Sequence, residues 1–395
     1  METREGKIDS AGPVKTRRVH YISGFDPRGA RHYHRLYREE APEQSKLNGS
    51  VLKVSDRKKL ADNISSWRIE GEWKGEAVAT EYQFMVWDDI VRRNWDGNLL
   101  KLFKRSVPFY FNYLRKGCVG QVLKLSKGAA YTVLYPLTWF LAFLFLALLI
   151  PICLGAMGER LTGNFWLGEA VKWPVFFGLL WLGPRMAERI DVVWVLRTCV
   201  FIYEWGVRPF PDLETRMDEM ADWIVAQQKA NPVDEVLIVG HSVGSIVGMT
   251  VTARILKKYG PDELPPHLNL LTLGQCIPYL SFIGTAKDCR DDLARLGQDL
   301  RIPWTDATAP PDPLCFYQVD PIRAEGLPSL STERPRHLTV RIFRMFSPEK
   351  YKLMRNNKRR LHFQYLMASE LPAGYDYFQI TAGPHRLHGA SGAHA

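Results

Sequence analysis

The chain has 395 residues, of which 46% are apolar, and a formal net charge of +10. This length can bury a substantial core in one large domain or two of average size. Its basic residues are scattered, and no nucleic-acid motif accompanies them, so nucleic acid is not an expected partner. Several basic clusters flank an apolar segment instead, which indicates anionic membrane lipids. Six cysteines lie far apart without C-x-x-C spacing, which argues against a zinc site and fits a reducing compartment.

The N-terminal part begins with a predicted strand at residues 18–23. A glycine-rich loop follows, then a predicted helix at residues 30–40. Residues 67–87 alternate between apolar and polar side chains, as strands do.

The next segment is strongly apolar, because no charged residue occurs between Lys127 and Glu159. Such a run can cross a hydrocarbon core of about 30 Å. A second apolar stretch, residues 173–184, is shorter, so two interpretations remain: a transmembrane hairpin, or one span followed by an interfacial or re-entrant segment. Basic residues flank the pair on both outer sides, which favours the hairpin with both flanks cytoplasmic. We therefore expect a multi-pass membrane protein whose soluble part is cytoplasmic.

The C-terminal part alternates helices and strands. Residues 212–229 predict an amphipathic helix with an acidic first turn. A strand ending at Val239 runs into Gly240-His-Ser-Val-Gly244, and a helix is predicted at residues 246–258. Two further strands are predicted at residues 268–273 and 302–307. This order predicts an α/β fold with a mainly parallel sheet flanked by helices.

Ser242 therefore lies on a strand-to-helix turn with the G-x-S-x-G pattern. The glycines on either side allow a strained turn that presents the hydroxyl above the sheet edge, beside a helix N-terminus. This arrangement is typical of a nucleophilic serine.

The order of strand, glycine-containing loop, helix, elbow, acid and histidine resembles the α/β-hydrolase superfamily, and most of all bacterial membrane-associated serine hydrolases of the lipase and esterase kind. The resemblance covers roughly residues 17–110 and 190–385, and it implies that the membrane is a bacterial inner membrane. It implies an N-terminal part of the hydrolase domain at residues 1–127, an inserted transmembrane hairpin at 128–190, and a C-terminal part at 191–395 that carries the elbow, the acid and the histidine.

The base is expected after the acid in this fold. His362, where a basic loop gives way to a helix, is our candidate, because the base of the fold normally lies at the head of the last helix. His385 in a Gly-Pro loop is the rival. His337 opens an apolar strand and is interpreted as structural, whereas His267 precedes the plausible acids.

Asp312 is the candidate acid, because an aspartate after a strand, followed by proline and an apolar residue, resembles the pattern in many lipases. Asp320 is the main rival, and Asp306 lies within the predicted strand. For all three, the alternative is an Asx-turn or a cap before proline.

An oxyanion hole needs two backbone N–H groups. Val243, directly after the serine, is expected to supply one, and Phe25 in the loop after the first strand the other. The alternative for this loop is a local ion pair between Asp26 and Arg28 that shapes it.

These residues predict a membrane-anchored serine hydrolase that cleaves a lipid or other acyl ester through Ser242, His362 and Asp312. Two alternatives remain open: an acyltransferase with the same residues, and a catalytically silent membrane scaffold. No P-loop, G-x-G-x-x-G or H-E-x-x-H motif occurs, so neither a cofactor nor a metal ion is expected.

Overall fold

The computed structural model describes residues 12–265 and 267–387. These divide into two compact units. An α/β unit contains the described residues up to Trp95 and from Trp205 onward, and a helical unit comprises Asp96–Glu204. The boundaries expected at residues 127 and 190 both fall inside the helical unit.

All strands belong to one sheet in the α/β unit. They are β1 (Thr16–Ile22), β2 (Val51–Val54), β3 (Lys58–Ala61), β4 (Ile64–Trp73), β5 (Glu76–Met85), β6 (Glu235–His241), β7 (Leu268–Leu273), β8 (Trp304–Thr308) and β9 (Arg336–Thr339).

The helices cover the sheet and form the helical unit. They are α1 (Gly29–Asn48), α2 (Asp88–Asn94), α3 (Leu99–Arg115), α4 (Cys118–Leu125), α5 (Lys127–Thr162), α6 (Phe165–Arg189), α7 (Val192–Val207), α8 (Pro211–Ala230), α9 (Val243–Lys258), α10 (Pro278–Ser281), α11 (Lys287–Gln298), α12 (Pro321–Ala324), α13 (Pro348–Met354), α14 (Lys358–Phe363) and α15 (Tyr377–Ala382).

The sheet is mixed, with the order β2-β4-β5-β1-β6-β7-β8-β9 and β3 paired with β4. Parallel pairings run from β5 through β1, β6, β7 and β8 to β9, whereas β4 pairs antiparallel with β2, β3 and β5. The prediction of a mainly parallel sheet is therefore wrong. The antiparallel part arises because Lys74 and Gly75 alone join β4 to β5, and a two-residue connection can join only antiparallel neighbours.

The centre of the sheet is buried on both faces. On one face, Tyr33 and Tyr37 of α1 pack in an aromatic cluster with Tyr21 and Tyr82. On the other face, α9 lies on β6 and β7. Every residue of β6 is consequently buried, which explains its continuous apolar sequence.

The predicted strands at residues 18–23, 268–273 and 302–307 are confirmed as β1, β7 and β8, each within two residues. The predicted helix at residues 30–40 is confirmed but continues to Asn48, where Gly49 ends it in a left-handed conformation (φ 71°).

Within the described residues, one helix is long and apolar enough to cross a membrane. This helix is α5 of the helical unit, which has 36 residues. Only 17% of its most apolar 18-residue stretch is buried. The helix α6 runs back along α5, with Gly168 so close to Gly155 that an added Cβ would meet its carbonyl oxygen. Because α6 carries Glu169, Lys172 and Arg185, it lacks a long uncharged run. Among the described residues, α5 alone is long and apolar enough to span a membrane. The structure therefore does not support the expected multi-pass arrangement.

Candidate active site

Ser242 lies between the end of β6 and the start of α9 with φ 57° and ψ −125°, a backbone conformation that is strained for a residue with a side chain. Its N–H donates to the carbonyl oxygen of Leu273 (2.9 Å), and its own carbonyl accepts from the N–H of Ser245 (2.8 Å). Among residues 235–253, Ser242 is the one that is not buried. The turn therefore holds one hydroxyl-bearing side chain toward solvent while its neighbours are packed.

Glycines make this turn possible. A Cβ added to Gly240 would collide with the backbone of Gly244 and Ser245, and one added to Gly244 would collide with the carbonyl oxygens of Ile22 and Ser23. The helix α9 can therefore approach β1 and β6 only because these two positions lack side chains.

Gly244→Ala is expected to lower the free energy of unfolding by about 2–3 kcal/mol, because its methyl group must displace rigid backbone. Gly248→Ala, in the same helix, is the matched control: its Cβ would lie 3.6 Å from the nearest atoms, an ordinary contact. Since alanine favours helix by about 1 kcal/mol over glycine, this control should be neutral or stabilising. Denaturant unfolding of both variants in detergent measures the difference. Equal destabilisation would contradict this account of the turn.

Asp312 and His362 form a buried pair. The His362 Nδ1 donates to the Asp312 Oδ2 over 2.8 Å, and both side chains are at most 1% exposed. Asp312 lies in the loop after β8, and His362 lies in α14, so the two residues are joined only by folding. His362 is the fifth of the six residues of α14 and is followed by α15, so it does not stand at the head of the last helix.

Two further donors hold the Asp312 carboxylate. The Tyr365 hydroxyl donates to Oδ2 (3.0 Å), and the Leu314 N–H donates to Oδ1 (3.0 Å). Burial raises the pKa of Asp312, but the charge of His362 and the hydrogen bonds from His362, Leu314 and Tyr365 outweigh it, so its pKa lies below the ordinary value. Asp312 is consequently an ionised carboxylate able to fix the orientation and tautomer of the imidazole.

The pair lies against the serine turn. His241, directly before Ser242, donates from Nε2 to the carbonyl oxygen of His362 (2.9 Å), and the two imidazole rings are 4.9 Å apart. A Cβ on Gly274 would lie 3.2 Å from the His362 Cε1, and Gly274 follows the Leu273 that accepts from the Ser242 N–H. Because β1, β6, β7 and β8 are parallel, their carboxyl ends bring these groups to one edge of the sheet.

The loop after β1 also meets this turn. A Cβ built on Gly24 would lie 3.0 Å from the Ser242 Cβ and 3.4 Å from its Oγ, so only a glycine lets the loop come so close. Phe25 is buried directly after it, and Val243 opens α9. Both predicted oxyanion donors are therefore on chain segments adjacent to Ser242.

The ion pair considered for this loop is present. Arg28 binds Asp26 with Nε to Oδ1 at 2.8 Å, and the Tyr33 hydroxyl donates to Asp26 Oδ2 (2.9 Å). The Arg28 guanidinium lies 4.9 Å from the ring centroid of Phe363, the residue after His362. These contacts connect the loop after β1 to α14.

The rival acids have other partners. Asp320 accepts from the N–H groups of Ile322 and Arg323 and so caps α12, the alternative expected for an aspartate before proline. Asp306 is buried inside β8, where it accepts from the Thr272 hydroxyl (2.6 Å) and lies 3.6 Å from His337 Nδ1. His337 lies in β9, where the sequence predicted a strand.

The rival histidines lie at the opposite edge of the sheet. His267 immediately precedes β7. The carbonyl oxygen of His385 accepts from Arg17 (2.8 Å), whose guanidinium also pairs with Glu235 at the start of β6. Neither is at the carboxyl ends of the strands, where Ser242 lies.

Two residues of this cluster were not predicted from the sequence. His241 stands inside the G-H-S-V-G motif, and burial, followed by the nearby His362, lowers its pKa to about 3, so it is neutral. Tyr365 follows His362 by three residues, a spacing that places two side chains on neighbouring positions of a helical turn. That spacing is the signal that could have identified Tyr365.

No group of three or more His, Cys, Asp or Glu side chains suited to a metal ion occurs within residues 12–265 and 267–387. Comparisons with protein-family models, with curated proteins and with solved structures found no match.

Proposed function

We propose that this chain is a serine hydrolase that cleaves a carboxylic ester through an acyl-enzyme on Ser242. The observation that carries the proposal is the buried 2.8 Å hydrogen bond between His362 and Asp312 beside the strained turn of Ser242. A serine hydroxyl is a weak nucleophile until a base takes its proton, and the base needs a carboxylate to hold its tautomer.

In the proposed acylation step, the Ser242 Oγ attacks the ester carbonyl carbon while the His362 Nε2 takes its proton. Asp312 stabilises the imidazolium through Nδ1–H. The tetrahedral intermediate expels the alcohol, which receives the proton from His362. The products of this step are the free alcohol and an ester of Ser242.

In deacylation, His362 takes a proton from water, whose oxygen attacks the acyl carbon. The bond between this carbon and the Ser242 Oγ then breaks, His362 returns the proton to Oγ, and the carboxylic acid leaves. In both steps the developing oxyanion would accept from the N–H groups of Val243 and Phe25. Val243 is well suited because it stands at the N-terminus of a 16-residue helix, whose dipole favours negative charge.

The α/β-hydrolase fold is part of the proposal. It is supported by the order of β1, glycine loop, elbow after β6, acid after β8 and histidine near the C-terminus, which is the chain order Ser, acid, His of that fold. The helical unit is then an insertion between the α2 region and α8.

We further propose that α5 anchors the protein in a membrane. Its 36 residues exceed the roughly 20 needed to cross the hydrocarbon core, and its side chains are mostly exposed, whereas a core helix would be covered. A membrane lipid or another acyl ester is the substrate class that an enzyme on such an anchor would meet, and the basic flanks of α5 fit a cytoplasmic location of the catalytic unit.

Labelling with a fluorescent fluorophosphonate tests the proposal. The wild-type protein in detergent should form a covalent adduct, because an activated serine attacks the phosphorus and displaces fluoride. Ser242→Ala should give no adduct. Ser245→Ala is the matched control, since Ser245 lies three residues along and its hydroxyl donates inward to the Ser242 carbonyl (2.5 Å).

Absence of labelling in the wild-type protein, or equal labelling of Ser242→Ala, would refute the enzymatic assignment and favour a silent scaffold. If labelling succeeds, product analysis with ester substrates and added alcohols separates hydrolysis from acyl transfer, because a transferase would form a new ester in place of the free acid.

A further inference from the structure

The helix α3, at the start of the helical unit, exposes an apolar stripe. It consists of five large side chains, each 50–64% exposed: Leu100, Phe103, Val107, Phe111 and Leu114. Their spacing of three or four residues puts them on one face of the helix. Contiguous exposed apolar surface of this kind marks an interaction site, since scattered single residues are normal but a full stripe is not.

The stripe is distinct from the face that α3 uses for packing within its own unit. Leu102, Ser106, Phe109 and Tyr113 are buried on another side of the helix, and the Phe109 ring lies 5.7 Å from that of Tyr203 in α7. The helix therefore already has a core-facing side, and the exposed stripe is additional.

Basic side chains border the stripe. At about 100° per residue, Lys104 and Arg115 project next to it, and both are exposed. The Arg115 guanidinium lies 5.9 Å from the ring centroid of Phe111. The sequence of α3 contains no acidic residue. An apolar face with cations along its exposed side and no acidic residue complements a surface that is apolar inside and anionic at its rim.

The same kind of surface continues along the chain. Leu123 in α4 is 52% exposed beside the exposed Lys124, and α5, the candidate membrane span, begins at Lys127. An amphipathic helix that only the short α4 separates from a spanning helix would meet the bilayer at the level of its headgroups.

We propose that α3 lies in the interface of an anionic bilayer, with its stripe in the acyl region and Lys104 and Arg115 at the lipid phosphates. This inference rests on the proposed membrane anchoring by α5 and is independent of the chemistry at Ser242. The basic border favours lipid over a second copy of the chain, because a copy would bring the same positive charges against each other.

The test uses the full-length protein reconstituted in vesicles of phosphatidylcholine and phosphatidylglycerol. The exposed Cys153 is replaced by serine, and the other five cysteines are buried. A single cysteine then carries an environment-sensitive nitrobenzoxadiazole label, in separate variants Phe103→Cys, Lys116→Cys and Phe145→Cys. Quenching by lipids spin-labelled at shallow or deep acyl positions reports the depth of each label.

The label at residue 103 should be quenched by the shallow spin label at least about twofold more than the label at exposed Lys116, because an interfacial helix buries its apolar face by about 5–10 Å. Lys104→Gln with Arg115→Gln should weaken this quenching. Equal weak quenching at residues 103 and 116 would overturn the inference, provided that residue 145 in α5 is quenched by the deep spin label. Lack of quenching at residue 145 would contradict both the membrane anchoring by α5 and the inference about α3. Fluorophosphonate labelling of Ser242 tests the proposed chemistry separately.

Discussion

Replacing His362 with alanine is expected to lower kcat for ester hydrolysis by about 10⁵- to 10⁶-fold, the range found when the base of a serine hydrolase is removed. The reason is that, in the proposed mechanism, His362 takes the Ser242 proton and the neighbouring His241 is unsuited to replace it. His241, the nearest imidazole, uses Nε2 to donate to the His362 carbonyl, and its pKa of about 3 makes it a poor base. The backbone acceptor for His241 remains in the alanine variant, so the fold should be preserved.

The matched controls are His385→Ala and His337→Ala. His385 lies at the opposite edge of the sheet, where its carbonyl oxygen accepts from Arg17, and His337 pairs with Asp306 between β9 and β8. Both variants should keep kcat within about threefold of wild type, as substitutions away from the reacting groups do. Steady-state hydrolysis of a chromogenic acyl ester measures all three variants. A large loss in His385→Ala with little change in His362→Ala would refute the assignment of the base.

The second large effect is expected for Asp312→Asn, which should lower kcat about 10⁴-fold with little change in KM. The amide offers His362 either a donor or a weaker acceptor, so the imidazole loses its fixed tautomer and its imidazolium loses the compensating charge. With the amide oxygen in the position of Oδ1, it still accepts from the Leu314 N–H, and the amide NH2 in the position of Oδ2 can donate to the Tyr365 hydroxyl, which keeps the loop after β8 in place.

Asp320→Asn is the control for this substitution, because asparagine caps a helix as well as aspartate does. It should leave kcat unchanged, since Asp320 bonds the first N–H groups of α12. A large loss of kcat in Asp320→Asn with little change in Asp312→Asn would show that the sequence rule, an acid after this strand, selected the wrong aspartate. Circular dichroism and thermal unfolding of each variant confirm that the comparison is made between folded proteins.

Local patterns predicted much of the architecture. The continuous apolar run before Gly240, the turn glycines and the following helix identified the elbow, because strand burial, backbone strain and helix propensity are all encoded in neighbouring residues. The loop after β1, with Gly24, was identified in the same way, because its strand, glycine and helix are neighbours in the sequence. The antiparallel part of the sheet was missed, although Lys74-Gly75 marks a two-residue hairpin, because alternation alone does not give strand direction.

The choice between Asp312, Asp320 and Asp306 lay beyond local patterns. All three aspartates lie at or shortly after a strand and close to a turn, so their sequence contexts are nearly equivalent. Only the packing of α14 against the loop after β8 gives Asp312 its partners, His362 and Tyr365. The position of His385 is equally a matter of long-range packing, since its carbonyl oxygen accepts from Arg17 at the start of β1.

By itself, the sequence determined the elements: the elbow at Ser242 with its flanking strand and helix, the long apolar helix, and the short set of candidate acids and histidines. Tertiary structure decided which members of that set meet, how the strands pair, and that α3 exposes a second apolar face. The physical reason is separation along the chain. Asp312 and His362 are 50 positions apart, and a hydrogen bond across such a separation depends on how whole elements pack, which no short stretch of residues records.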